Sequence, residues 1–287
     1  MPKLSFFEDT METEKWVTGK IKLRIHGEPL EMEMTVPAFN IKPQRMLPVF
    51  QEMSSSIVGI SVDAIESEGG KISCKAGCGA CCRQAVPISE VEAYQIAEIV
   101  NGLAEPKRSQ VKQRFSDALA HFRKINWFDE LIGLQDMSYE GTPGFTPERY
   151  METVMKYFRE GIPCPFLDEE SCSIHPVRPL ICREYLVTSP AENCGSPSAE
   201  TIRKVPIVMK PSRAMLGVGR TENTDGISSL MLIEALDFVE RYPENFEEKT
   251  GEQWAADFFN CLLQPTTPGP PGPPKTGSKP RRKKRRK

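Results

Sequence analysis

The sequence lacks any long apolar run, and no stretch approaches the roughly 18 residues that a membrane-spanning helix requires. It also lacks a basic start followed by an apolar segment. The N-terminus, MPKLSFFEDTMETEKW, carries acidic residues where a secretory leader would be apolar. These two absences predict a cytoplasmic protein. No Ser-His-Asp set, Walker loop or dinucleotide fingerprint occurs, so no organic reaction is assigned by motif. No internal repeat stands out, and a repeat architecture is not expected.

What the chain has in quantity is cysteine, nine in 287 residues. A chain of this length can bury a self-sufficient core, so cross-links are not required on size grounds. Four of the nine fall in the run CKAGCGACCR, as Cys74, Cys78, Cys81 and Cys82. A second group follows at Cys164, Cys172, Cys182 and Cys194. Disulfides seldom persist in a reducing cytosol, and nine is an odd number. Clustering of this kind in a cytosolic chain points instead to metal. Isolated Cys261 reads as a small buried hydrophobe.

Charge is distributed unevenly. From Gln264 onward there are nine basic residues and no acidic ones, which leaves 28 basic against 39 acidic residues before it. The tail TTPGPPGPPKTGSKPRRKKRRK has almost nothing apolar to bury and is expected to be a disordered spacer carrying a basic patch. The run 281–287 suits nonspecific contact with RNA or an acidic protein, because no aromatic residue interleaves it for base stacking.

Hydrophobic spacing gives the organisation. Val17, Ile21, Leu23 and Ile25 alternate before the turn His26-Gly27-Glu28-Pro29. Leu30, Met32, Met34 and Val36 alternate after it, so a β-hairpin is predicted. A helix follows over 47–65 with the stripe Leu47, Phe50, Ile57, Val58 and Val62. Lys71-Ile72-Ser73 is predicted as a short strand. Ser89 and Glu92 have capping-box spacing at the start of a helix over 89–103. Further helices are predicted over 105–125, 147–159 and 228–241, and residues 161–195, with four prolines, as loops and turns. The fold class is therefore α+β, with an irregular cysteine-cluster domain, several helices and an N-terminal hairpin. Its expected parts are 1–69 (hairpin and helix), 70–195 (metal-binding domain), 196–263 (helical extension) and 264–287 (tail).

Thiolates bind soft or borderline metals, and Gly77 and Gly79 free the backbone to wrap around one. Zinc usually takes a Cys-x2-Cys pair from each of two loops. Cys78 and Cys81 supply one pair, and the second group has none. Its uneven gaps suit an iron–sulfur cluster better, since a cluster is wider than an ion. Adjacent Cys81 and Cys82 diverge, so both rarely reach the same metal. Cys74, Cys78 and Cys81 also share the spacing of radical S-adenosylmethionine enzymes. Ala80 stands where those commonly have an aromatic residue, and no series of alternating strands and helices follows.

Two segments together carry a more specific likeness. CGACCR at 78–83, followed by Pro87-Ile88-Ser89 and Glu92, resembles the first motif of the YkgJ-type CxxCxxCC cysteine-cluster proteins. Cys164-Pro-Phe-Leu, Cys172-Ser-Ile-His175, Arg178-Pro179 and Cys182-Arg183-Glu-Tyr185 resemble its second. The likeness covers roughly residues 70–190 and implies a zinc- or iron-chelating domain, often labelled an iron–sulfur oxidoreductase. A related branch is the flagellin lysine N-methylase, where the same motifs go with an iron–sulfur cluster and methyl transfer from S-adenosylmethionine.

Carried over by position, the implied metal ligands are Cys74, Cys78, Cys81, Cys82, Cys164, Cys172 and Cys182, with Cys194 outside the motif. Where the family often has tyrosine, this chain has His175, which is read as a packing or hydrogen-bonding residue. Arg178 and Arg183 are candidate cofactor-binding residues, offsetting thiolate charge or holding a substrate anion. The implied cofactor is an iron–sulfur cluster of the 4Fe–4S type, with redox or S-adenosylmethionine-dependent methyl-transfer activity. The alternative is zinc in a non-catalytic interaction or chelating module.

Overall fold

Three strands open the chain. In the computed structural model, which describes residues 5–9, 15–25, 28–140, 146–224 and 229–263, β1 (Ser5–Asp9) pairs with β2 (Trp16–Ile25), and β2 with β3 (Glu28–Pro37), all antiparallel. The predicted hairpin is β2–β3, and Val17, Ile21, Met34 and Val36 bury its inner face. Its turn residues His26 and Gly27, and the side chains of Leu23, Ile25 and Leu30, lie outside the described residues, as do Ser228 and the whole of 264–287.

The chain continues through β4 (Asn40–Ile41), α1 (Leu47–Ser67), β5 (Pro87–Ile88), α2 (Glu90–Asn101), α3 (Lys107–Lys124), α4 (Trp127–Glu140) and α5 (Pro147–Arg159). The short hairpin β6 (Leu167–Asp168) and β7 (Ser171–Cys172) leads to α6 (Leu180–Glu184) and α7 (Pro211–Met215). β8 (Leu230–Met231), α8 (Ala235–Arg241), β9 (Lys249–Thr250) and α9 (Gly251–Leu263) complete it. Helices and short antiparallel strands make this an α+β fold. No helix among the described residues is long and apolar enough to cross a membrane.

One apolar core runs from Val17 to Phe259 and joins both ends of the chain. Leu47, Phe50, Ile57 and Val58 of α1 are buried as the stripe predicts, with Val62 partly so. Phe50 stacks on Phe258 of α9 with ring centroids 4.3 Å apart. Burying one such ring contributes about 1.5–3 kcal/mol. β4 pairs with β9, and Trp254 donates to the Ile41 carbonyl at 2.8 Å. A Cβ at Gly251 would meet the Pro37 carbonyl oxygen at 2.7 Å, so the hairpin closes on α9 only because that residue is glycine. A second cluster holds α3, α4 and α5 together through Phe122, Trp127 and Tyr157, with Phe122 and Tyr157 stacked at 3.9 Å.

Two expectations need correction. Lys71-Ile72-Ser73 forms no strand: the Ser73 N–H bonds to the Val187 carbonyl at 2.9 Å, without a ladder on either side. The helix expected over 228–241 begins only at Ala235. Leu230 and Met231 pair instead with Pro87 and Ile88, because those β-ladder partners wait at the exit of the first cysteine loop. Helices α4, α6, α7 and α9 have no counterpart among the helices expected from the sequence.

Candidate metal centre

Both cysteine groups sit on irregular backbone fixed by neighbouring helices. In the first loop Gly77 has φ +78, a left-handed conformation that glycine adopts without cost. Cys81 and Cys82 ride a single 3-10 turn, Ala80–Arg83, closed by the Cys82 N–H on the Gly79 carbonyl at 3.0 Å. Gly79 is a packing requirement. A Cβ there would stand 2.5 Å from Glu170 Oε2 and 2.8 Å from Leu167 Cδ1.

That close approach brings the second motif onto the first. Arg83 donates to both carboxylate oxygens of Glu170, at 3.0 and 2.6 Å. Glu169 and Glu170 both have positive φ in the β6–β7 turn, a conformation that costs non-glycine residues energy and that the Arg83 pair helps to hold. Asp168 is clasped from α3 by Lys107 and by Arg114, the latter at 2.9 Å. The Cys164 N–H donates to the Cys82 carbonyl at 2.7 Å, a direct backbone link between the two cysteine groups.

Glu92 makes a second link. Its capping box with Ser89 is formed as expected, and its other oxygen accepts the Leu180 N–H at 2.9 Å, two residues before Cys182. One buried carboxylate thus starts α2 and fixes the entry to α6. Burial raises its pKa, against hydrogen bonds that lower it.

The thiols form one electrostatic neighbourhood. All nine cysteines are free. Cys81 shares a side-chain hydrogen bond with Cys82, which together with burial pushes its pKa far up. Burial lifts the Cys164 thiol to about 12 and Cys182 well above its usual value, and nearby Cys172 and Cys81 add to both. Cys74 and Cys172 are raised chiefly by burial as well, and each feels Cys81. Among the described residues no three such side chains are already drawn together as a metal-holding group.

Cys194, left outside the motif in the sequence reading, is brought to the same place. It is buried on the 3-10 turn Ala191–Gly195, which packs against the Ala80–Arg83 turn. Its pKa is raised by burial and by Cys74, Cys78 and Cys81. The only signal for it in the sequence was its membership of the second cysteine group. Cys261 is elsewhere, against Gly217.

The two candidate arginines differ. Arg178 has its Nε buried with no hydrogen-bond partner, and its charge lowers the pKa of Cys74, Cys81, Cys172 and Cys182. Arg183 is engaged with protein: it donates to the carbonyls of Arg178 (3.3 Å) and Pro176 and to Ser55 Oγ (3.1 Å). His175 is exposed, and burial of its ring together with Arg178 and Arg183 lowers its pKa.

A sulfur-rich donor set beside the Arg178 charge fits a thiolate-bound metal, since the cation offsets the charge of ionised sulfur. Comparison with known proteins agrees. Residues 73–202 match the family model CxxCxxCC, described as "Putative zinc- or iron-chelating domain", which bears out the likeness read from the two motifs. No curated protein and no solved structure matches the chain.

Proposed function

Since residues 73–202 match that zinc- or iron-chelating family, we propose that their two loops hold one iron–sulfur cluster of the 4Fe–4S type. The observation that supports this is the donor set. Eight thiols share one neighbourhood, and the second group lacks the Cys-x2-Cys pair that a structural zinc usually takes from each of two loops. Such a cluster supplies one-electron steps when four thiolates hold it and an open iron when one of them gives way, and the centre serves electron transfer or methyl transfer from S-adenosylmethionine.

In this reading Cys81, Cys164, Cys172 and Cys182 are the inner ligands, because Cys81 acts on the ionisation of the other three and all but Cys164 feel Arg178. Cys74, Cys78, Cys82 and Cys194 lie on the first-loop side and complete the sulfur shell. Arg178 offsets thiolate charge and donates its free N–H to sulfur. Arg183 positions Arg178 through the backbone.

The test is anaerobic purification with analysis of iron, acid-labile sulfide and zinc. Brown protein with iron and sulfide in matching amounts is expected. Colourless protein with stoichiometric zinc would overturn the iron reading in favour of a non-catalytic zinc module. If iron is present, saturable binding of S-adenosylmethionine selects methyl transfer over electron transfer.

Arg178→Gln tests the orphaned donor. It should weaken metal retention by about tenfold to a hundredfold in a chelator competition, the usual cost of losing a group that supports metal ligands. Retention equal to the native chain would remove Arg178 from the centre.

A further inference from the structure

Lys204 lies just past the matched stretch and beside the first cysteine loop. Its position is fixed by backbone pairing. Val187 forms an antiparallel bridge with Lys204, the Val205 N–H donates to Leu186 and the Thr188 N–H to Arg203, each at 2.8 Å. The Val187 carbonyl in turn accepts the N–H of Ser73, the residue before Cys74. Lys204 and the cysteine loop therefore flank the same strand-like segment.

The Lys204 ammonium stands over the ring of Tyr185, 4.9 Å from its centroid. Tyr185 hydrogen-bonds Gln84, at the end of the first loop, and its ionisation is opposed by Cys194, Cys81 and Cys74. The ring thus touches the ammonium on its face and the end of the first cysteine loop through its hydroxyl. Although the residue is exposed overall, protein packed around the ammonium lowers its pKa, and the charge that acts on it is a second cation, Lys210. Among the described residues the ammonium has no carboxylate partner. An aromatic face satisfies none of its three N–H donors.

We propose that Lys204, standing over Tyr185, anchors a carboxylate or phosphate group of the small molecule on which the cysteine centre acts. The inference rests on the reading of that centre as a reactive one. An anion bound to Lys204 would sit beside the ring whose hydroxyl meets Gln84, so the rest of the molecule extends toward the first cysteine loop. Tyr185 orients the ligand, and the charged ammonium gives the anion a strong hydrogen bond.

The test uses the full chain loaded with metal and carrying 13C-labelled tyrosine. Sodium acetate and inorganic phosphate are titrated separately while the Tyr185 ring signals are followed by NMR. A saturable shift is expected with at least one anion, and which one saturates identifies the group. Lys204→Gln should bind about tenfold or more weakly, and Lys204→Arg should restore binding. No saturable shift, or equal affinity in Lys204→Gln, overturns the anchor. Metal content is measured on the same samples. A chain without metal overturns the centre, whereas equal anion binding by metal-loaded Lys204→Gln overturns only the anchor.

Discussion

Cys182→Ser will fail to retain metal through gel filtration, with affinity reduced by about a hundredfold or more, while Cys261→Ser retains it in full. Three thiols and a cation converge on Cys182: Cys164, Cys172, Cys81 and Arg178 all act on it. A serine hydroxyl does not ionise in reach of neutrality and is a poor partner for a soft metal. Cys261 supplies the control. It sits on α9 against Gly217, and the charge that acts on it is Asp257. The two substitutions remove the same atom from two half-buried sites, so a difference between them reports metal ligation. Thermal melts of the metal-free variants check that Cys182→Ser still folds, and Cys182→Ala separates loss of sulfur from burial of a hydroxyl. Full metal retention by both Cys182 variants would sink the inner ligand set.

How much of this was legible in the sequence depends on the range of the cause. The Ser89–Glu92 capping box is local, and it forms as its spacing predicts. The second oxygen of the same Glu92 reaches Leu180 across 88 residues, and no local pattern announces that. Gly79 read as a source of backbone freedom, yet its φ is negative and its role is to let Glu170 and Leu167 approach. Cys194 stands apart in the sequence because it lies outside the motif, and only the packing of two 3-10 turns brings it to Cys78 and Cys81. β8 is two residues long, too short for any period to show. α9 starts at a glycine, a poor helix former, because the hairpin backbone leaves no room for a Cβ there. Local rules found the elements, and tertiary contacts chose the exceptions among them.

Stripping the metal will lower the melting temperature by about 8–16 °C without abolishing the fold. A ligand held at about a thousand times its dissociation constant stabilises the native state by about 4 kcal/mol. For a chain of this size each kcal/mol moves the midpoint by about 2–4 °C. The fold should survive because its core does not depend on the cysteines. Phe50, Phe258, Trp254 and Ile21 pack the hairpin, α1 and α9 together, and Phe122, Trp127 and Tyr157 hold α3 to α5. What the metal adds is closure between the two loops, which otherwise meet through the Cys164–Cys82 backbone bond, the Arg83–Glu170 pair and Glu92. Loss of the metal should therefore loosen the loops first, and hydrogen exchange should rise at Cys82 and Cys164 before it rises in α1 or α9. Restoring the metal must also displace protons, since burial keeps the thiols of Cys164 and Cys182 protonated near neutrality. Reconstitution in weak buffer should accordingly acidify the solution, and a melting temperature unchanged after verified metal removal would show that the loops close without it.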